Sequence, residues 1–252
     1  MATPGGLRRE WGETSPLRRD VRSTYVHLVS PTAAPLPLRV IPRGYVDIVW
    51  GGGGDLRVAG PDTGPRFLTL PPGPLVAVRF RTGHAHPLLG VPVSALTDAR
   101  VPLVELWGPD ALRLEERMEH AASERARLRI LRAALLARLP AAPSPDPLVG
   151  AAMLRLEGRT RGRVSELSRD LGVSERQLLR RFTVAVGYGP KTFQRIARLQ
   201  RLLQLARRPE ASADLAGLAG LAGFADQAHL THECVSLTGF SPAVLVRTCG
   251  PA

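Results

Sequence analysis

The sequence predicts an α+β chain of two domains: a β-rich N-terminal domain with covering helices, then an all-α domain. Three observations carry this. Between residues 25 and 104 short apolar runs alternate with proline and glycine, the pattern of strands and turns. Four prolines stand in the eight residues from Pro140 to Pro147, a composition that interrupts both helix and sheet. Beyond Leu148 the apolar residues recur at the spacing of one helical face. At 252 residues the chain is long enough for two cores of ordinary size.

Residues 1–24 are polar and arginine-rich, without the apolar stretch of an export signal, and are expected to form a loose tail. The strands belong to 25–107, with apolar runs at 38–41, 46–50, 56–59, 67–70 and 75–80. Gly51-Gly52-Gly53-Gly54-Asp55 lies between two runs, where glycine supplies the positive φ of a hairpin turn. A phosphate-cradling loop would need a following Lys-Ser/Thr and a helix, and neither is there. From 108 to 139 the pattern turns helical. Leu128, Leu131, Leu135 and Leu139 share a face, and Leu112 stands among charges. This segment either covers the β-rich domain or pairs with a second copy of the chain. Residues 140–147 read as a semi-extended linker.

Lys plus Arg total 34 against 22 Asp plus Glu, a formal charge of +12 that suits a polyanionic partner. Half of this excess lies in 146–252, where 15 basic residues face 9 acidic ones. Charge alone therefore does not locate a binding surface. Cys234 and Cys249 are too few for a disulfide framework, and a reducing cytoplasm is expected. No apolar run approaches the ~18 residues of a membrane span.

The chemistry-bearing pattern starts at Val164. A short helix with Val164, Leu167 and Leu171 on one face ends at Gly172, and Ser174 with Gln177 forms the capping box of the next helix. That helix buries Leu178, Phe182 and Val186, leaving Arg176, Leu179, Arg180 and Thr183 outward. Guanidinium groups one turn apart can each grip a guanine edge through two hydrogen bonds; as isolated surface arginines they would merely be solvated. A second copy decides between these. Leu215, Leu218 and Leu221 lead to Gly223, Asp226 stands at an N-cap position, and Leu230, Cys234 and Leu237 line the following helix. Phe182 to Cys234 and Gly187 to Gly239 are both 52 apart, whereas Gly172 to Gly223 is 51, so the second turn is one residue longer. Between the copies Gly189-Pro190 opens a helix over 190–208, ~28 Å long at ~1.5 Å per residue. Its apolar face is Phe193, Ile196, Leu199, Leu202 and Leu203, and Lys191, Arg195, Arg198 and Arg201 lie opposite.

Residues 148–249 resemble the AraC/XylS family of bacterial transcription regulators, on both helix-turn-helix copies (164–187 and 215–239), the helix between them and the closing Thr238-Gly239-Phe240-Ser241-Pro242. The resemblance implies insertion of two recognition helices into adjacent major grooves of double-stranded DNA. Base contacts would come from Arg176, Leu179 and Arg180 in the first and from Gln227, Ala228, Thr231 and His232 in the second. Phosphate contacts are assigned to Ser174, Lys191 and Arg195. The family pattern has a basic residue where His232 stands and a core aromatic where Cys234 stands, which predicts a second unit weaker in charge and packing. The 25–107 segment is similar to a poorly characterised β-rich domain, in some relatives cupin-like, that precedes such regulators and suits a sensing role. RNA polymerase, a small-molecule effector and a second copy of the chain are the further partners this implies.

No metal or cofactor is expected. His84-Ala85-His86 lacks a carboxylate and third histidine at ligand spacing, and His229 and His232 fall on the helix already assigned to DNA. No nucleophile elbow, nucleotide loop or acid/base pair emerges. A regulator rather than an enzyme is expected. The alternative is a catalytic N-terminal domain fused to the same DNA-binding module; a reactive zinc-bound cysteine there is excluded, because the first 145 residues contain no cysteine.

Overall fold

A computed structural model describes residues 6–30, 32, 34–51, 53–158, 163–207 and 215–249. Among the described residues the strands are β1 (Gly6–Gly12), β2 (Val21–Val29), β3 (Leu36–Val40), β4 (Asp47–Gly51), β5 (Asp55–Ala59), β6 (Arg66–Leu70), β7 (Gly73–Phe80) and β8 (Arg100–Pro102). They pair antiparallel in the order β1-β2-β7-β4-β5-β8, with β3 and β6 in a separate two-stranded sheet. Each expected apolar run overlaps a strand, with Ile41 just beyond β3 and Val46 just before β4, because pleating sends alternate side chains to a common face. The expected glycine turn joins β4 to β5, with Gly54 at φ +85°; Gly52 lies outside the described residues.

One face of the large sheet carries Val26, Ile48, Leu56, Val58, Val76 and Val78 into a core shared with α3 (Pro109–Glu119) and α4 (Glu124–Arg138). The short helices α1 (Ala85–Leu89) and α2 (Val104–Trp107) complete this domain. In α4 Leu128, Leu131 and Leu135 are buried as expected, and Leu139 packs at the edge. Leu112 is an exception at 54% exposed, because Ala111, Leu114 and Met118 form the inward stripe of α3. On the opposite sheet face, cross-strand neighbours Asp47 and Arg79 form a bidentate ion pair (2.8 and 2.6 Å), and the buried Tyr25 hydroxyl donates to Asp47 at 2.8 Å. A carboxylate with three donors is thereby satisfied inside the domain.

The loose tail expected over 1–24 is overturned for its described part. β1, a 3-10 turn at Pro16–Arg19 and the start of β2 occupy it, with Leu17 and Val21 fully buried. Hydrogen bonding along the neighbouring strand holds a segment whose polar composition hides it. Residues 1–5 lie outside the described residues.

The linker is shorter and better anchored than its prolines suggest. A 3-10 turn covers Leu139–Ala141, and α5 (Pro147–Gly158) starts at the last proline. Asp146 caps α5 through Leu148 N–H (2.9 Å) and accepts two hydrogen bonds from Arg181 (2.6 and 2.5 Å). Then come α6 (Val164–Asp170), α7 (Glu175–Val186), α8 (Pro190–Leu205), α9 (Leu215–Ala222), α10 (Gln227–Thr238) and α11 (Pro242–Cys249) around a second core. The helix expected to reach residue 208 ends at Leu205, which at ~1.5 Å per residue makes it ~24 Å long; Arg208 lies outside the described residues.

Candidate nucleic-acid interface

The first unit follows from its local chemistry. Gly172 has φ +68°, the left-handed conformation that stops α6, and no atom lies within 4 Å of the Cβ it lacks. Glycine is needed there for the backbone and not for space. Ser174 then starts α7: Gln177 N–H donates to Ser174 Oγ (3.2 Å), and Ser174 N–H donates to Gln177 Oε1 (3.0 Å). This reciprocal box satisfies donors that a helix start leaves open. It also occupies the Ser174 hydroxyl, the group expected to contact phosphate.

Leu178 and Phe182 are fully buried on the inner face of α7, and Phe182 meets Phe193 of α8 edge to face at 5.5 Å. Arg181 is drawn to Asp146. Arg176, Leu179 and Arg180 are left exposed on the outer face. Leu179 is 51% exposed, and its Cδ1 lies 2.9 Å from where a Cβ on Gly189 would stand. An apolar tip thus sits against the N-cap of α8, whose second residue, Lys191, is exposed.

The second unit repeats the plan. Gly223 has φ +92°, and Asp226 caps α10 by accepting from His229 N–H at 2.7 Å. Helices α7 and α10 are both 12 residues long, and both end at a left-handed glycine, Gly187 and Gly239. Gln227, Ala228, Thr231 and His232 are exposed on one side of α10, with the Thr231 hydroxyl donating to Gln227 O at 2.9 Å. The expected stripe of α9 is corrected at Leu221, which is 60% exposed; Leu218, Ala219 and Ala222 face the core instead. Nor does the second unit lack a core aromatic, since Phe224, in the longer turn, is fully buried against the His229 ring at 5.6 Å. Cys234 is fully buried too, and burial, with Glu233 beside it, pushes its thiol up to about 12.

Arg195 is engaged inside the domain. Its Nε donates to Glu233 Oε2 (2.8 Å) and Oε1 (3.1 Å), and its Nη2 donates to Ser236 Oγ (3.1 Å), so α8 grips α10. Glu233 is buried, and His229 Nε2 stands 3.8 Å from its carboxylate. The sequence reading missed this clamp. The available signal was an acidic residue, Glu233, on the inward side of α10, where an unpaired charge is costly.

His84 and His86 have separate partners, His84 Nδ1 with Asp20 Oδ1 (3.1 Å) and His86 Nδ1 with Val91 O (2.8 Å). Among the described residues no cluster of three or more metal-ligand types occurs, and no helix is long and apolar enough to cross a membrane.

Residues 167–248 match the sequence model of a helix-turn-helix domain family, which spans both units just described. The chain carries an AraC-type helix-turn-helix domain. Such a domain places it among DNA-binding transcription regulators. Ahead of the AraC-type domain, residues 14–102 match a domain of unknown function (DUF6597). Among solved structures, the chain is similar to a probable AraC family transcriptional regulator from Rhodopseudomonas palustris CGA009 (20% identity, 42% of this chain and 100% of that one, TM-score 0.37). It is also similar to ToxT from Vibrio cholerae (11% identity, 96% of this chain and 97% of that one, TM-score 0.44). Neither superposition carries the assignment, which rests on the domain match. No curated protein matches the chain.

Proposed function

We propose that the protein is a sequence-specific regulator of transcription that reads two adjacent major grooves, with α7 and α10 as the reading helices. The observation that supports this most is the pairing of two 12-residue helices of equal build, each with short side chains or arginines exposed on one side, on the single helix α8. A shared support fixes the spacing of two reading heads, as adjacent half-sites on one DNA face require. Arg176, Leu179 and Arg180 then read one half-site and Gln227, Ala228, Thr231 and His232 the other. Lys191 contacts phosphate, whereas Arg195 positions α10. The β-rich domain biases this binding in response to a small molecule, a second copy or RNA polymerase. Its contacts with one reading head and with the shared support are consistent with that role: the Thr97 hydroxyl donates to Gly187 O at the end of α7 (2.7 Å), and Gln200 Nε2 on α8 donates to Pro42 O (2.7 Å).

Selection of bound sequences from random duplexes by the full-length protein tests the reading. The expected outcome is a bipartite motif with half-sites about one helical turn, ~10 base pairs, apart. A pool without enrichment, or with a single short half-site, overturns it.

A further inference from the structure

A cavity of about 720 Å³ lies where the two domains meet, within the range of sites that enclose small molecules. Arg22, Arg43 and Arg81 line it from the β-rich domain, and Arg198 and Arg201 of α8 line it from the other side. Glu157 is the one carboxylate among the described residues of this wall. Among the described residues none of the five guanidinium groups lies within salt-bridge distance of a carboxylate, although Glu157 acts on Arg22 and Glu233 on Arg198 through space; Arg22 rests over the Tyr45 ring at 5.2 Å, Arg198 over the Phe224 ring at 5.7 Å, and Arg81 donates to Arg18 O at 2.9 Å.

Two further atoms point to a ligand. Tyr188 Oη and Arg198 Nε are buried on this wall without a hydrogen-bond partner among the described residues, although buried polar groups are almost always paired. Tyr188 is only 6% exposed, and its hydroxyl lies 2.6 Å from where a Cβ on Gly44 would stand, so it is wedged in the seam between domains. Phe193 and Ile196 add an apolar floor. Cations gathered from two domains repel one another, and each guanidinium offers a planar fork suited to carboxylate or phosphate.

We propose that this interdomain cavity binds a small organic anion with two or more negative charges and an apolar body, and that the bound anion ties α8 to the β-rich domain. Excess cationic charge from both walls favours a multiply charged ligand over a singly charged one. Because α8 supports both reading heads, occupancy and DNA affinity are linked; that consequence rests on the regulatory reading, whereas the site itself does not.

Calorimetric titration and thermal shift on the full-length protein, at constant ionic strength, test the site without DNA. Isophthalate, citrate and pyrophosphate serve as multiply charged probes, and benzoate and oleate as singly charged ones. We expect saturable one-to-one binding of isophthalate with a raised Tm, and benzoate weaker by about tenfold or more. Arg43→Gln and Tyr188→Phe are each expected to weaken isophthalate by a similar factor, with Arg22→Gln as the alternative should either variant misfold. Absence of saturable binding by all three multiply charged probes overturns the proposal. So does tighter binding of oleate than of any of them. Binding unchanged in these variants but lost in Arg176→Ala/Arg180→Ala moves the anion to the DNA-facing surface and equally overturns it. Fluorescence anisotropy on the selected duplex, with and without isophthalate, then reads the linkage. Unchanged DNA affinity removes the coupling, and a protein that binds anion but no DNA refutes the regulatory reading while upholding the site.

Discussion

Arg176 and Arg180 stand one turn apart on the outer face of α7, and both are exposed; in the function proposed above, each offers its planar fork to a base edge. Replacing either by alanine is expected to cost ~1 to 3 kcal/mol of discrimination and to relax the preferred base at one operator position. Lys191→Ala should instead weaken binding to operator and scrambled duplexes alike, lowering the salt slope by about one phosphate. His232→Ala should matter less than either arginine, since a neutral imidazole has one donor to offer. Anisotropy at several salt concentrations separates the three; loss of specificity in His232→Ala with both arginine variants intact would transfer the dominant role to α10. Cys234 supports a second prediction. A buried thiol pushed up to about 12 is almost wholly protonated at neutral pH. In a Cys249→Ser background, iodoacetamide at pH 7.5 should leave the folded protein unmodified and alkylate Cys234 once urea unfolds it. Rapid labelling of the folded chain would contradict the burial.

At the scale of elements, the two helix-turn-helix units differ in how they are secured. The start of α7 depends on its capping box, so Ser174→Ala should destabilise the protein by about 1 kcal/mol, read as a shift in urea midpoint. The placement of α10 depends on α8. Glu233→Gln keeps the size of the side chain but removes the charge that Arg195 grips, and should loosen α10 with little effect on α7. The expected signature is reduced preference over the half-site read by α10 and unchanged preference over that read by α7, measured on duplexes mutated one half-site at a time. Equal loss at both would mean that the ion pair merely stabilises the whole domain. Much of this scale was legible in sequence. The capping box, the glycine stops and the 52-residue repeat are local signals, and local hydrogen bonding and φ preference enforce them. Leu112 and Leu221 misled because leucine spacing alone does not reveal which face a neighbour covers; alanines at adjacent positions, which allow closer approach, took the inward places.

On the scale of the whole molecule, the segment between domains is anchored where its prolines suggested a spacer. Arg181 holds the Asp146 carboxyl below the usual carboxylate range by donating hydrogen bonds to its charged form. A carboxylate whose value is depressed by folding stabilises the fold above its unfolded value, and that contribution is lost as pH falls through the folded one. The pair is partly solvated, so the contribution is at most about 1 kcal/mol. Asp146→Asn should therefore lower Tm at pH 7, with the difference from the unsubstituted protein shrinking below about pH 4. A difference that persists unchanged into acid would assign the effect to the capping of α5 and not to the ion pair.

The sequence by itself determined the strands over the apolar runs, the two helix-turn-helix units with their caps and turns, and the exposed rows on α7 and α10. Each depends on residues a few positions apart, where periodicity, capping and glycine conformation act through the backbone. Tertiary structure alone decided that β1 and β2 order the polar N-terminal segment, that Arg195 belongs to Glu233, that Gly187 meets Thr97, and that arginines from positions as distant as Arg22 and Arg201 share one cavity. These depend on which surfaces meet once both cores have formed, and charges more than a hundred residues apart leave no local trace of their eventual proximity.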